Sequence, residues 1–280
     1  MALIELYRYQ LLPITQQQFG IFDEPLTADQ IRERKNEFFG RVLTSILEFS
    51  YNRTHIHHKL LFHSGPWFVF KISAHKSMLR TNHDFEDERI DDWPYVTVII
   101  NNDPAHQFIG VAPNVKAFAS TATVVKIIER SVARPLHIFG LFVEIREQFD
   151  KRQFWDLMDE FHGRVLRIKF EMVSPNMANI SKVLKIDLKQ LNRDTNSHKT
   201  SLELEAGHEA TLDVSAQNPL IEGCVEYSAM GGGDVAIKFK GLRKTVRTST
   251  NIKTIEIDEL ALEGPNEMVL DQWLSVLDHD

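Results

Sequence analysis

The stretch that decides the fold of the first half is LLFHSGPWFVFKI, residues 60–72. Two runs rich in aromatic and aliphatic residues, 55–62 and 67–73, flank residues 63–66, His-Ser-Gly-Pro, which have the composition of a turn. Runs of this length on either side of turn residues are typical of paired antiparallel strands. The sequence therefore predicts a β-hairpin here.

Outward from this hairpin, the first half carries further local signals. Residues 27–30, Thr-Ala-Asp-Gln, form a capping-box pattern, in which the Thr and Gln side chains satisfy free backbone N–H groups at the start of a helix. The runs 95–100 and 107–111 enclose an Asn-Asn-Asp-Pro turn and predict two more strands. Residues 81–93 are polar and acidic and predict a loop, and another helix is predicted to begin near Asn114.

The second half alternates between strand and helix signals. We place a domain boundary at Pro135, after which the predicted order is β-α-β-α-β-β-β. Residues 174–175, Ser-Pro, have the composition of a helix start, and residues 221–227 predict a strand. The predicted fold class is α+β, with two domains of mostly antiparallel sheets and helices packed on one face. The predicted limits are 1–134 and 135–253, followed by an acidic C-terminal tail at 254–280.

The composition of the 280 residues is that of a soluble globular protein, with 43% hydrophobic and 25% charged residues. The net charge of −7 excludes a histone-like protein covered in basic residues. The single cysteine, Cys224, excludes an internal disulfide and favours a reducing compartment. The N-terminus does not have the pattern of a signal peptide, and no apolar run reaches the roughly 20 residues of a membrane helix. We therefore expect a cytoplasmic protein without membrane insertion.

The positive charge is unevenly distributed along the chain. Residues 237–253, IKFKGLRKTVRTSTNIK, contain six Lys and Arg and no acid, whereas residues 254–280 contain eight acids and no Lys or Arg. An acidic protein that concentrates its cations in this way is expected to present them to an anionic partner.

Three predicted elements of the second half carry cations on the side away from their apolar residues. A solvated surface is the ordinary explanation for one such element. Three together favour contacts with phosphates, which give affinity without reading base sequence. The predicted nucleic-acid-binding residues lie on one helix, two strands and a turn: Lys182, Lys185, Lys189 and Arg193; Arg167 and Lys169; Lys238 and Lys240; and Arg243, Lys244 and Arg247.

Other chemically capable residues have simpler structural explanations. His55 and His57 share a strand face and could ligate a metal, but no Cys or carboxylate stands at ligand spacing. The Gly-Gly-Gly-Asp run at 231–234 lacks the lysine spacing of a phosphate-binding loop and favours a turn. The acids at 84–92 could hold Mg²⁺ but are equally typical of a solvated loop, and Cys224 favours a packed thiol. The sequence thus predicts no catalytic residue, no metal site and no cofactor.

Three stretches carry a family resemblance: LLFHSGPWFVFKI at 60–72, VTVIINNDPAHQFIGVAPNVKAF at 96–118 and RIKFEMVSPN at 167–176. The order of elements around them resembles that of the family of the A protein of the lambda Rex phage-exclusion system. The resemblance covers most of the chain as a layout and carries over no catalytic residue. It implies a cytoplasmic, oligomeric, DNA-binding protein of anti-phage defence with two domains.

Residues and resemblance together predict a non-catalytic, sequence-independent DNA-binding component, a sensor or scaffold, of a bacterial anti-phage defence system. Its expected partners are duplex DNA, further copies of the same chain and an effector protein encoded nearby. One alternative is a metal-dependent nuclease-type effector, which the His55 and His57 pair and the acids at 84–92 would support. The other is an oligomeric scaffold whose basic face pairs with its own acidic tail through Asp258, Glu259 and Glu263.

Overall fold

A computed structural model of the chain describes residues 2–14, 26–51, 54–173, 195, 197–257, 262 and 264–277. The chain divides into two compact units. Unit 1 comprises Met1–Glu5, Leu11–Glu144 and Thr254–Asp280, and unit 2 comprises Leu6–Gln10 and Ile145–Lys253. Both units combine helices with antiparallel sheets, which confirms the predicted α+β class.

The helices are α1 (Ala28–Ser45), α2 (Thr121–Ile138), α3 (Lys151–Glu160), α4 (Pro219–Tyr227) and α5 (Glu267–Leu277). The strands before α2 are β1 (Ala2–Pro13), β2 (Phe49–Tyr51), β3 (Thr54–Ser64), β4 (Trp67–Ser73), β5 (Lys76–Thr81), β6 (Asp87–Asp92), β7 (Tyr95–Asn101) and β8 (Phe108–Val111). Those after α2 are β9 (Leu141–Glu147), β10 (Val165–Val173), β11 (Lys199–Glu205), β12 (Gly233–Phe239), β13 (Val246–Arg247) and β14 (Thr254–Ile257).

The sheet of unit 1 is built around the predicted hairpin. Strands β3 and β4 pair antiparallel from Ser64 opposite Trp67 to His57 opposite Ser73, so the hairpin prediction is confirmed. The strand order is β14-β1-β8-β7-β4-β3-β2, with β9 also paired to β1. Most of these strands lie in unit 1, whereas Leu6–Gln10 of β1 and the end of β9 are in unit 2. Strand β4 is buried along almost its whole length, which explains why its sequence is a continuous hydrophobic run.

Two helices of unit 1 pack on each other through their apolar residues. The predicted capping box opens α1: the Thr27 amide donates to the Gln30 side chain at 2.8 Å, and the Gln30 amide donates to the Thr27 hydroxyl at 3.2 Å. The ring of Phe38 in α1 stacks on Phe139, directly after α2, with ring centroids 4.8 Å apart. Helix α2 begins at Thr121 with Ser120 as its N-cap, later than the predicted start near Asn114.

One prediction for unit 1 is wrong. Residues 81–93 are predicted as a loop, but Asp87–Asp92 form β6, which pairs antiparallel with β5 in a two-stranded ribbon. Cross-strand pairs such as Met78 opposite Ile90 are not visible in the local composition, which is dominated by acids. Pro135, predicted as a domain boundary, lies in the last turn of α2. The two compact units divide between residues 144 and 145, and residues 254–280 are grouped with unit 1, so the predicted domain limits stay a prediction.

Unit 2 contains a four-stranded sheet of order β11-β10-β12-β13. Its core joins sheet residues such as Phe170 and Ile237 to residues of α3 and α4, including Phe154 and Val225. Cys224 lies in this core, and burial raises the pKa of its thiol to about 11. In the described part of the chain, no helix combines the length and apolar character that a membrane span requires.

Residues 221–227 were predicted as a strand, but they form helix α4. Buried Ile221, Cys224 and Val225 are spaced i, i+3 and i+4, which is a helical stripe. The Asn218 side chain accepts hydrogen bonds from the amides of Leu220 and Ile221, and Pro219 occupies the first helical position.

Candidate nucleic-acid interface

The sheet of unit 2 separates its apolar and charged side chains by strict alternation. Along β10, Ile168 and Phe170 are buried in the core, while Arg167 and Lys169 lie on the opposite face. Along β12, Ile237 is buried while Lys238 shares the face of the β10 cations. The two strands are neighbours, and Arg167 stands directly opposite Lys238. The structure therefore brings together two of the predicted basic elements.

The middle of this face is neutralised by two acids, Glu171 and Glu203. Glu171 accepts a hydrogen bond from Lys169 at 2.8 Å and another from Lys199 at 2.6 Å. These hydrogen bonds, first from Lys169 and then from Lys199, lower the pKa of Glu171 to about 2. Arg167 donates to Glu203 of the neighbouring strand β11 at 3.1 Å. Arg167 and Lys169 are thus engaged within the protein.

Arg247 is also engaged within the protein. Its guanidinium donates to Asp234 at 2.6 Å, and the Asp234 side chain is only 9% exposed. The same carboxylate accepts hydrogen bonds from the Thr248 hydroxyl and the Ser249 amide. This network ties β12 to the residues that follow β13. Because Arg247 compensates a buried charge, its main contribution is to the fold.

A different group of cations gathers at one end of the sheet, where β12 turns into β13. Among the residues that the structure describes, none of this group makes an ion pair with an acid. We call this group the basic end: Arg164, Lys238, Lys240, Arg243 and Lys244. All but the half-buried Lys238 are exposed to solvent. Exposed cations without acid partners remain available to an anionic ligand.

Hydrogen bonds fix the shape of the basic end. The Lys238 ammonium donates to the carbonyl oxygens of Leu242 and Arg243, each at 2.7 Å, and so holds the turn closed. The Arg164 guanidinium donates to the Lys240 carbonyl at 3.0 Å, and the Lys240 amide donates to the Arg164 carbonyl at 2.7 Å. Gly241 provides the positive φ of +88° that this turn requires. The loop after α3 and the β12–β13 turn therefore form one connected basic surface.

The prediction from sequence covered part of this group. It included Lys238, Lys240, Arg243 and Lys244 but missed Arg164, which precedes β10 and is outside the strand alternation used to find the others. Arg164 is recognised as part of this group only from its position beside Lys240, which directly follows the neighbouring strand β12. The predicted helix residues Lys182, Lys185, Lys189 and Arg193 lie outside the described residues.

The other chemically capable residues do not form a metal-binding arrangement within the described ranges. Across the described ranges, no group of three or more His, Cys, Asp or Glu is placed to hold a metal ion. The His57 ring contacts the edge of Trp93 at 5.8 Å between centroids, while the acids at 87–92 belong to β6. The His55 side chain is outside the described residues, as are Asp258, Glu259 and Glu263 of the predicted self-pairing tail.

The glycine run at 231–234 is packed against the fold rather than open to a ligand. Gly231 lies so close to β1 that a Cβ there would be 2.5 Å from the Arg8 Cβ, and a Cβ on Gly232 would be 2.5 Å from the Tyr227 ring. All three glycines are buried. The run is not the predicted turn between two strands, because residues Ser228–Gly232 form a short π-helix directly after α4. Only Gly231 of the three glycines has a positive φ, +77°.

Comparisons of this chain with models of protein families, with curated proteins and with solved structures found no match. The resemblance to the phage-exclusion family therefore stays a prediction.

Proposed function

We propose that this protein binds duplex DNA through the basic end of unit 2, without reading base sequence and without catalysing a reaction on it. The observation that carries the proposal is the set of five cations at one end of the sheet that have no acid partner among the described residues. Four of the five are exposed, and phosphate oxygens are the ligands that exposed Lys and Arg side chains bind best. The fifth, Lys238, holds the turn that positions them. Contacts of this kind position a protein on DNA but carry no sequence information.

The distribution of charge between the units supports the same proposal. Unit 2 contains 18 Lys and Arg against 15 Asp and Glu, whereas unit 1 contains 14 against 24. The net negative charge of the whole chain therefore resides in unit 1. A locally basic surface can bind a polyanion even when the protein as a whole is acidic.

The wider setting is proposed on the resemblance alone. It would make the protein a sensor or scaffold of a bacterial anti-phage defence system that acts with further copies of itself and with an effector protein encoded nearby. DNA binding by the basic end does not depend on this setting.

An electrophoretic mobility shift with duplexes of unrelated sequence tests the proposal. We expect the parent protein to shift every duplex at about 50 mM salt and to lose binding as salt rises. Replacing Lys240, Arg243 and Lys244 with Glu should weaken binding by roughly several hundredfold near 0.1 M salt, because three phosphate contacts are lost.

The matched control changes the same amount of charge elsewhere. Lys59, Lys116 and Lys126 are exposed cations of unit 1, and replacing them with Glu should leave binding close to that of the parent. Two results would contradict the proposal: a parent protein that shifts no duplex at low salt, or equal losses in the two triple variants. The second result would show a general effect of net charge rather than a site.

A further inference from the structure

The ribbon formed by β5 and β6 is unusually exposed for a paired element. All six residues of β5 are exposed, as are four of the six in β6. Large apolar side chains lie in solvent on the ribbon and its turn: Met78 is 53% exposed, Leu79 66% and Phe85 89%. An isolated two-stranded ribbon is marginally stable in water. These features are typical of a surface that is covered by a partner.

The register of the ribbon sorts its charges into an ordered pattern. Lys76 stands opposite Asp92, Met78 opposite Ile90 and Arg80 opposite Glu88. Because directly opposed residues share a face, these six side chains form one face, which we call the even-numbered face. It has two cations along β5, two carboxylates along β6 and an apolar pair between them. The opposite, odd-numbered face carries Ser77, Leu79, Thr81, Asp87, Arg89 and Asp91.

The four charges of the even-numbered face are not paired with each other. No ion pair joins Lys76 to Asp92 or Arg80 to Glu88, and no other ion pair to these four occurs within the described part of the chain. Lys76, Arg80 and Glu88 are exposed and Asp92 is half-buried, so these charges can meet opposite charges on another molecule.

We propose that the even-numbered face is a docking surface for the same face of a second copy of this chain. A two-fold axis parallel to the strands places β5 of one copy over β6 of the other. Each Lys76 then faces the partner copy's carboxylate at position 92, each Arg80 faces position 88, and Met78 faces Ile90. All charged contacts across this isologous interface are between opposite charges.

The charge pattern excludes the other face-to-face arrangement. A two-fold axis perpendicular to the strands would place β5 over β5, with Lys76 against Arg80 and Asp92 against Glu88. Like charges would then meet at every charged position, which disfavours binding. Charge complementarity thus selects both the partner, a second copy, and its orientation. The inference concerns unit 1 and is independent of the proposed DNA binding by unit 2.

The contact area of one six-residue face is smaller than the roughly 800 Å² per partner of a standard interface. The dimer should therefore form at protein concentrations on the order of 100 μM rather than at nanomolar levels. Sedimentation velocity of the full chain should show an average mass that rises from 32.3 kDa toward twice that value with concentration. It should fall back as salt screens the ion pairs.

A charge exchange provides the decisive test. One variant, Lys76→Glu with Arg80→Glu, has a wholly acidic even-numbered face, and the other, Glu88→Lys with Asp92→Lys, has a wholly basic one. Each variant alone should remain monomeric at concentrations where the parent dimerises, and an equal mixture of the two should dimerise again. Restoration in the mixture also shows that both variants are folded.

The control variant is Asp87→Lys with Asp91→Lys, which changes the same charge on the same strand but on the odd-numbered face. It should dimerise like the parent. The proposal is overturned if the parent stays monomeric over the whole concentration range, if either exchanged variant dimerises alone, or if the mixture remains monomeric. Loss of dimerisation in the control would overturn the assignment to the even-numbered face.

Discussion

Gly233, the first residue of β12, lies against the backbone of β10. A Cβ at this position would overlap the carbonyl oxygen of Glu171, and a backbone atom cannot move aside as a flexible side chain can. Gly233→Ala should therefore lower the free energy of unfolding by about 1–3 kcal/mol or more. Urea denaturation measures this change. Gly207→Ala is the control, since nothing lies within 4 Å of its Cβ position, and it should change stability little.

At the scale of single residues, the sequence predicted the capping box at Thr27 and Gln30 because such a motif depends only on residues three apart. Its prediction of a turn for the glycine run is wrong, and it does not show the reason for three glycines. A Cβ at these positions would overlap Arg8, Tyr227 and Glu171 respectively. Arg8 and Glu171 are distant from the glycines in the chain. A glycine in the sequence can indicate that another segment packs closely against it, but the sequence does not show which segment that is.

Among the elements, the sheet of unit 2 shows how register decides the role of a cation. Arg167 and Lys169 have the spacing of a basic surface in sequence, but β11 brings Glu203 beside them and β10 itself provides Glu171. The pairing depends on which strands are neighbours and on their register. The local composition of the basic segments shows neither the neighbouring strand nor the register. Only the three-dimensional structure therefore distinguishes the basic end from Arg167 and Lys169, which are paired with acids.

Helix α4 illustrates the opposite case, in which a signal was present in the sequence. Asn218 and Pro219 are a helix start, but β-branched Ile221 and Val225 favoured a strand. Packing against Phe170 and Ile237 in one core outweighs that intrinsic preference. Burial on one helical face, rather than propensity, decided the type of this element.

The pairing of Glu171 across the sheet should be visible in the pH dependence of stability. Its hydrogen bonds to Lys169 and Lys199 lower the pKa in the folded protein to about 2, below its ordinary 4.5. A lowered folded-state pKa means that the carboxylate stabilises the fold above about pH 4.5, and that this contribution is lost as pH falls through about 2.

The variant Glu171→Gln lacks this titration. The difference in the free energy of unfolding between parent and variant should be largest near neutral pH and should shrink as pH falls from 4.5 toward 2. Urea unfolding across this pH range measures it. A difference that stays constant with pH would contradict the proposed pairing.

For the whole molecule, the composition shows that the protein is acidic, and the division into units shows that the excess of acids lies in unit 1. Unit 1 holds 24 acids against 14 cations, and unit 2 holds 18 cations against 15 acids. The sequence predicts a basic second half, and unit 2 has a small excess of Lys and Arg over Asp and Glu. Which cations are unpaired could not be predicted, because it depends on the strand order of the unit 2 sheet.

The central claim is that the basic end binds DNA phosphates, and the salt dependence of affinity measures the number of such contacts most directly. If the four exposed cations of the basic end contact phosphates, log affinity against log salt should have a slope near −3.6, measured by fluorescence anisotropy with a labelled duplex. The variant with Lys240, Arg243 and Lys244 replaced by Glu should give a slope shallower by about 2.7. Identical slopes for parent and variant, or a parent slope near zero, would contradict the claim.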